Sequence, residues 1–292
     1  MLGSQLVLDA PSGVEAVGTD LIDAPEGNPP VAEAGVDLSD EGSVRALFER
    51  LAPLSGVIHA AAYTAVDRAE EEEELARKVN GLVPEVVAEV CRDAGIPLVL
   101  VSTDFVFRGD NTVPYLETDP VDPLGAYGRT KLEGEQRAQT AYPEGVRIVR
   151  TQWLYGPRGK HFPGTMVKLA RERESLKVVA DQVGSPTSTL ELSPALWDVW
   201  AKGEAGIYHA SCQGACSWHE FAVASIDKAR ERETLAVREV NPCTTEEYPV
   251  PAPRPAYSVL SCDRLTALRG RPLAPWREAL ATFMDAEWEK NR

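Results

Sequence analysis

The segment PLVLVST, residues 97–103, decides the fold of this chain. It is apolar almost throughout and rich in β-branched residues, which is typical of a central strand in a parallel sheet. Further strands are predicted at 14–19, 56–60 and 146–151, and helices at 4–10, 41–51 (capped by Ser39), 67–79, 83–94 and 126–138. Strands and helices thus alternate over the first 155 residues. This alternation predicts an α/β fold with a doubly wound parallel sheet.

The remainder of the chain is less regular and predicts a smaller lobe interleaved with the last strands of the sheet. Helices are expected at 162–174, 190–202, 217–229 and 275–289, and strands at 176–180 and 206–210. A proline-rich stretch, 242–255, separates the last two helices.

Composition narrows the class of protein. Apolar residues make up 43% of the chain and charged residues 26%, as in globular domains, and no apolar run approaches the ~20 residues of a membrane-spanning helix. The net charge of −15 disfavours binding to nucleic acid or to an anionic membrane, so neither is expected as a partner. Five scattered cysteines and an N-terminus without a secretory pattern favour a reducing cytoplasm.

Tyr127 and Lys131 form a Tyr-x-x-x-Lys pair in AYGRTKLEGE, within the helix predicted at 126–138. Residues four apart share one face of a helix. A lysine ammonium beside the phenol should lower the pKa of Tyr127, so that it can exchange a proton near neutral pH. The same lysine can hold the ribose hydroxyls of a dinucleotide. The spacing alone also occurs by chance in many helices.

Two other groups follow predicted strands, where ligands bind in open α/β sheets. Ser102-Thr103-Asp104 ends the central strand, and the Thr103 hydroxyl could hydrogen-bond a carbonyl oxygen as charge develops on it. Its alternative role is to cap a turn. The small residues of His-Ala-Ala-Ala-Tyr (59–63) would either let a flat cofactor approach the backbone or simply allow close packing.

Several longer motifs occur together and in order along the chain. They are HAAAYTAVDRAE (59–70), VSTDFVFRGD (101–110), PLGAYGRTKLEGE (123–135), RTQWLYG (150–156), DQVGSPT (181–187), GIYHASCQGACSWHEFA (206–222) and RPAYSVLSCDRL (254–265). Together they resemble the dTDP-4-dehydrorhamnose reductase family of the extended short-chain dehydrogenases/reductases. The match covers nearly the whole chain, and several motifs in register are far more specific than any one of them.

The resemblance implies a catalytic set of Thr103, Tyr127 and Lys131. Tyr127 would protonate the reduced carbonyl oxygen, Thr103 would polarise it, and Lys131 would tune Tyr127 and hold the nicotinamide ribose. Besides Tyr127 and Lys131, the implied cofactor contacts are Met1, Leu2, Gly3, Asp37, Leu38, Ala60, Ala61, Tyr63, Asn80 and Ser102. The implied contacts to the sugar nucleotide are Val66, Asp67, Thr103, Asp104, Phe105, Tyr127, Trp153 and Arg254. Arg254 suits a diphosphate because of its planar fork, although a surface arginine in a proline-rich loop is the alternative.

The implied cofactor is NADPH or NADH. Asp20 follows the strand at 14–19, where an acid can bind the ribose 2′-hydroxyl and favour NAD, and no lysine or arginine lies between 14 and 30. Family members accept either cofactor, so both stay open. Mg²⁺ is permitted but not supported, and no metal site is expected. The implied domains are an NAD(P)-binding Rossmann-like domain at 1–155 and a mainly substrate-binding lobe at 156–292, with 206–212 returning to the sheet.

The family begins with a strand and a Gly-x-x-Gly-x-x-Gly turn, whose glycines let the backbone approach the pyrophosphate. Met1-Leu2-Gly3 resembles the end of that turn. We therefore expect the first strand and part of the glycine-rich loop to be missing from this chain. Met1 would then be an internal methionine of a longer protein, or the start of a shortened paralogue.

Two patterns have competing interpretations. His209, Cys212, Cys216 and His219 could form a zinc site, but their spacing is unusual and the stretch aligns as a strand end and a helix capped by Ser217. The five glutamates at 70–74 are expected to form a solvated helix face rather than a metal site.

The resemblance implies reduction by NAD(P)H of the C4 keto group of dTDP-4-dehydro-6-deoxy-L-mannose (dTDP-4-dehydrorhamnose) to dTDP-L-rhamnose. A dTDP-sugar would be the ligand of a cytoplasmic enzyme, and the acidic composition permits a homodimer. Two alternatives stay open: another dTDP-4-keto-deoxysugar as substrate, and a non-catalytic subunit resembling the regulatory subunit of methionine adenosyltransferase. The intact Thr103, Tyr127 and Lys131 disfavour the non-catalytic subunit.

Overall fold

The computed structural model describes residues 1–21, 29 and 33–290. Its α-helices are α1 (Leu2–Leu8), α2 (Glu41–Leu51), α3 (Glu73–Arg77), α4 (Val83–Ala94), α5 (Ala126–Ala141), α6 (Phe162–Glu172), α7 (Thr189–Lys202), α8 (Trp218–Arg230), α9 (Asp263–Arg269) and α10 (Trp276–Lys290). Its strands are β1 (Thr19–Asp20), β2 (Glu33–Ala34), β3 (Val57–His59), β4 (Leu98–Thr103), β5 (Val146–Thr151), β6 (Leu154–Tyr155), β7 (Ser175–Val179), β8 (Val183–Gly184), β9 (Thr187–Ser188), β10 (Gly206–His209), β11 (Cys216–Ser217) and β12 (Glu239–Cys243).

Within these residues, β3, β4, β5 and β10 form a parallel sheet in the order β10-β5-β4-β3. In its register, Leu98 of β4 lies between Val57 of β3 and Val146 of β5. The carboxyl ends of these strands therefore meet at one edge of the sheet. The predicted α/β class, with a Rossmann-like parallel sheet, is confirmed.

Helices cover both faces of this sheet. Alternate side chains of β4 point to opposite faces, so Leu98 and Leu100 pack with α4 and α5, whereas Val99 packs with α1 and α7. Because both faces are buried, the strand is apolar almost throughout, which is why 97–103 could be recognised as central.

A smaller lobe surrounds the parallel pair of β7 and β12, which α6 and α8 cover. The helix α10 packs against residues of α1 and α7 in the larger core, so the C-terminal half also contributes to the main body. The division between 1–155 and 156–292 remains our proposal.

The N-terminal region differs from the expected pattern. Of the strand predicted at 14–19, only Thr19 lies in a strand, β1, which pairs with β2. Among the described residues, no strand hydrogen-bonds both to this pair and to the four-stranded sheet. The upstream strand implied by the family resemblance stays a prediction.

Two local predictions were wrong. Helix α2 is capped by Asp40, whose carboxylate accepts from the Ser43 N–H at 2.7 Å, whereas Ser39 donates to Asp37. The helix predicted at 67–79 is broken into a 3₁₀ turn (Arg68–Glu70), α3 and a π-helical turn (Lys78–Leu82).

The short strands β6, β8, β9 and β11, the strand β12 and the helix α9 were not predicted. Most of them are only two residues long, which is too short to show a periodic pattern. No helix in the described parts of the chain is both long and apolar enough to cross a membrane.

Candidate active site at the carboxyl edge of the sheet

Thr103 is the last residue of β4 and lies at the carboxyl edge of the sheet. Its hydroxyl accepts from the Phe105 N–H at 3.2 Å and caps the 3₁₀ turn Asp104–Val106. The same hydroxyl donates to Asp104 Oδ1 at 3.0 Å. Thr103 therefore does perform the capping role, and its position beside Tyr127 leaves the catalytic role open to it as well.

The helix α5 carries Tyr127 and Lys131 to this edge. Its N-cap is Gly125, which has no capping side chain, and Glu70 Oε1 instead accepts from the Ala126 N–H at 2.8 Å. A Cβ on Gly128 would lie 2.2 Å from the Phe105 carbonyl oxygen, so only glycine lets α5 pack this close to the turn after β4.

The protonation of Tyr127 differs from the expectation. Burial raises its pKa to about 12, with Asp104 adding to the rise and a hydrogen bond with Thr103 opposing it. Lys131 donates to the Val101 carbonyl oxygen at 2.8 Å, and burial lowers the pKa of Lys131 to about 8, against a rise due to Glu135. The expected lowering of the pKa of Tyr127 is therefore wrong, because burial is the largest cause of the shift and it raises the pKa.

The segment 60–63 is held in place by Asn80. The amide oxygen of Asn80 accepts from the Tyr63 N–H at 2.9 Å, and its nitrogen donates to the Tyr63 carbonyl at 3.1 Å and to Thr130 Oγ1 at 3.3 Å. The hydroxyl of Tyr63 donates to Glu72. Both ends of the Asn80 amide are thus occupied in fixing the turn. Ala60 is partly exposed and packs against the larger core, and Ala61 is exposed.

The other residues implied for the cofactor lie in the N-terminal part of the chain, between Met1 and Leu38. Gly3 lies in the first turn of α1, next to Met1 and Leu2, with open space where a side chain would be. Asp20 and Asp37 are exposed, and each accepts a backbone N–H close by, from Leu21 and Ser39. Leu38 packs against the core cluster that contains residues of α4.

Two residues implied for the sugar nucleotide pair with each other. Arg254 donates to Asp67 Oδ1 at 2.9 Å, and its guanidinium lies 5.9 Å from the centre of the Phe105 ring. The Ala252 N–H also donates to Asp67. Arg254 is therefore not a free surface arginine, because this pair ties the proline-rich stretch to the segment after β3, where Val66 lies.

Trp153 has a φ of +46°, a left-handed conformation that is rare for a bulky residue and costs free energy unless its surroundings enforce it. Its indole stacks on Trp218, with ring centroids 3.6 Å apart and planes 10° apart. A Cβ on Gly184 would lie 2.6 Å from the Trp153 ring, so the glycine of the DQVGSPT motif leaves room for the indole. No role was predicted for Trp218 from the sequence, although it lies within the family-like motif at 206–222.

The two histidines of the candidate zinc pattern have separate partners. The rings of His209 and His219 bond to separate backbone carbonyls, of Tyr115 and Ser261 for the first and of Val240 for the second. The described residues contain no cluster of three or more side chains able to hold a metal. All five cysteines are free thiols.

The glutamate run is not simply a solvated face. Glu70 caps α5, Glu72 accepts from Tyr63, and Glu73 forms an ion pair with Arg129 at 3.0 Å. These three side chains stay partly exposed, and their contacts add to the predicted solvated face roles that the sequence did not indicate. The one available hint was the glycine at the N-cap of α5, which requires its cap from elsewhere.

A model of the RmlD substrate binding domain family matches residues 12–288. The chain belongs to this family. The dTDP-4-dehydrorhamnose reductase of Salmonella typhimurium is 40% identical to this chain over 234 residues, which cover 78% of each chain. The crystal structure of a dTDP-4-dehydrorhamnose reductase from Clostridium acetobutylicum has a TM-score of 0.88 and 37% identity, covering 98% of this chain and 96% of that one. That of Bacillus anthracis, in complex with NADP, has a TM-score of 0.80 and 37% identity, covering 86% and 87%.

The site of this RmlD family member fits a nicotinamide dinucleotide. The Ser102 hydroxyl is buried at the end of β4 without a hydrogen-bond partner among the described residues, and Lys131 provides an ammonium donor from α5. Such donors suit ribose hydroxyls, and the alanines at 60 and 61 leave space for a flat ring.

Proposed function

We propose that this chain is an NAD(P)H-dependent reductase of dTDP-4-dehydrorhamnose, which converts its C4 keto group to the hydroxyl of dTDP-L-rhamnose. The observation that carries the proposal is the meeting of Thr103, Tyr127 and Lys131 at the carboxyl edge of the sheet, in a chain of this family. The relatives from Salmonella typhimurium and Clostridium acetobutylicum carry the same activity in their names.

When bound, the nicotinamide supplies a hydride to C4. The chain supplies the proton. Because the pKa of Tyr127 is about 12, its hydroxyl is protonated at neutral pH and can act as the acid in the reduction. Thr103 lies beside it and can donate to the same carbonyl oxygen.

Lys131 supports the proton transfer by its charge. With a pKa of about 8 it is mainly protonated at pH 7, and its ammonium can stabilise the phenolate that Tyr127 becomes. Lys131 and Ser102 would also hold the ribose, and Ala60, Ala61 and Asn80 would shape the adjoining turn.

The sugar nucleotide would contact Val66, Asp67, Trp153 and Arg254. Arg254 carries a positive charge in a chain of net charge −15, and its planar fork matches a diphosphate. When the anion binds, the Arg254 guanidinium would either leave Asp67 or donate to both Asp67 and the anion.

We extend the proposal to a cytoplasmic, homodimeric protein without nucleic-acid or membrane partners. Five free thiols support the reducing compartment, and the net charge supports the absence of anionic partners. Size-exclusion chromatography with light scattering measures the assembly directly.

The test is the oxidation of NADPH and of NADH by the purified chain with dTDP-4-dehydrorhamnose or another dTDP-4-keto-deoxysugar, with the product identified by NMR. Tyr127→Phe should lower kcat about 10³-fold, within the range of general-acid catalysis. Tyr248→Phe, which alters an exposed tyrosine, is the matched control. Absence of oxidation with any substrate would overturn the proposed function. Equal rates in the two variants would overturn the role of Tyr127.

A further inference from the structure

Two tryptophans from distant parts of the chain stack on each other near the carboxyl edge of the sheet. Trp153 lies just beyond the end of β5, and Trp218 is the first residue of α8. Their ring centroids are 3.6 Å apart and their planes differ by 10°. Phe162 of α6 packs in turn against Trp218, with ring centroids 4.6 Å apart. One face of the Trp153 indole is therefore covered by aromatic rings from later parts of the chain.

The short strands β8 and β11 bring the two indoles together. Gly184 of β8 lies opposite Cys216 of β11 in an antiparallel pair, and Trp218 directly follows β11. A Cβ on Gly184 would lie 2.6 Å from the Trp153 ring, so any side chain at this position would displace the indole. The pairing of these two strands thus both leaves space for the Trp153 ring and delivers the ring that stacks on it.

The backbone of Trp153 is held separately from its side chain. A left-handed conformation of a bulky residue, here with a φ of +46°, persists only where the surroundings enforce it, and such residues are concentrated at ligand sites. The Trp153 carbonyl oxygen accepts from the Thr187 N–H at 3.2 Å, and the side chain of Gln152 accepts from the Ser185 N–H at 3.0 Å. These bonds fix the main chain, whereas the contacts with Trp218 and Gly184 act on the indole.

We propose that Trp218 is a positioning residue, which holds the Trp153 indole in the orientation that contacts the sugar nucleotide. The inference rests on the proposed function of the site and on the contact proposed there for Trp153. Trp153 stays partly exposed although Trp218 covers one of its faces, so part of the indole is accessible to a ligand. A side chain that is ordered before the ligand arrives loses less conformational entropy on binding, which favours affinity.

The alternative is that the stack only adds to the stability of the fold. Both tryptophans pack against the larger core, and Trp218 also packs against the smaller lobe. In that case the loss of Trp218 would lower the free energy of unfolding and leave the affinity for the sugar nucleotide unchanged. Affinity and stability must therefore be measured in the same variants.

The test is the KM for dTDP-4-dehydrorhamnose at saturating NADPH, in the purified chain. Trp218→Leu keeps an apolar side chain but removes the flat ring, and should raise this KM about three- to tenfold, the range that corresponds to one aromatic pair. The change in kcat should be smaller, and the KM for NADPH should stay near its wild-type value. Trp218→Phe keeps a ring that can stack on Trp153 and should recover most of the lost affinity.

Trp200→Leu is the matched control, because Trp200 packs against the same core and makes an edge-to-face contact with Trp197. A Cβ on Gly56, which precedes β3, would clash with the Trp200 ring, so Trp200 lies at the amino edge of the sheet, away from the candidate site. Trp200→Leu should lower stability in urea unfolding without raising the KM for the dTDP-sugar.

Gly184→Ala tests the same role from β8, and should raise the KM by displacing the indole even if Trp218→Leu does not fold. An unchanged KM in Trp218→Leu or in Gly184→Ala, with wild-type turnover intact, would overturn the role of Trp218 alone. An equal rise of KM in Trp200→Leu would do the same. Absence of wild-type turnover would overturn the proposed function. The role of Trp218 would then be decided by calorimetric binding of dTDP-L-rhamnose, where unchanged affinity in Trp218→Leu, or no binding to wild type, would overturn it.

Discussion

Glu70 is expected to hold Tyr127 in place through the N-terminus of α5. Its carboxylate accepts from the Ala126 N–H at 2.8 Å, and a Cβ on Gly125 would lie 2.6 Å from the same oxygen. Replacing Glu70 by alanine removes a helix cap, at about 1 kcal/mol, and a favourable carboxylate at the positive end of the helix, at about 0.5 kcal/mol. The expected loss of stability is about 1.5 kcal/mol.

Because Tyr127 directly follows the capped residue, loosening this turn also disorders its hydroxyl. A cost of about 1.4 kcal/mol corresponds to a factor of ten, so kcat/KM should fall about tenfold. Urea unfolding and steady-state rates would measure the two effects in the same preparations. Glu70→Gln keeps an oxygen acceptor and should recover most of both.

Glu74→Gln is the control, because it removes the same charge from the same acidic run. The side chain of Glu74 is exposed and makes no hydrogen bond or ion pair among the described residues. If Glu70→Ala behaves like Glu74→Gln in stability and in rate, the cap does not position Tyr127 and the reasoning fails.

Two further outcomes follow from buried charges. Burial lowers the pKa of Lys131 from 10.5 to about 8, so between these pH values the unfolded chain binds more protons than the folded chain. The contribution of Lys131 to the free energy of unfolding therefore rises with pH across that window. Lys131→Met should lose that rise in urea unfolding at pH 7 and pH 10, as well as the reductase activity. Glu135→Gln breaks the buried ion pair with Arg150 (2.7 Å) and should lower stability by about 3–5 kcal/mol in chemical unfolding. The double variant Glu135→Met, Arg150→Leu should cost less, because no charge is left unpaired.

Much of the fold could be predicted from local patterns. The strand at 97–103 and its neighbours at 56–60 and 146–151 were found because a buried parallel strand is a short, nearly continuous apolar run. The helix α2 was found because its apolar residues, among them Val44 and Leu47, repeat with the helical period. The two-residue strands offered no such repeat, and they form only where distant segments meet.

The candidate site could be predicted only in part. Its three central residues were identified from motif spacing and family resemblance, whereas Glu70, Trp218 and Thr130, which Asn80 contacts, were not assigned to it. The capping contact of Glu70 joins residues 56 positions apart, and such contacts have no local sequence signature. The sequence hints at this contact through Gly125, an N-cap residue that has no side chain to cap α5.

The sequence by itself determined the strands of the main sheet and most of the longer helices, because these depend on periodicity and on short-range order. Only the tertiary structure decided how the groups of the candidate site are protonated and held. The pKa of Tyr127 rises because folding buries it, and its helix is capped by Glu70, 56 positions earlier in the chain. Burial and long-range contact are properties of the folded chain, so no local pattern contains them.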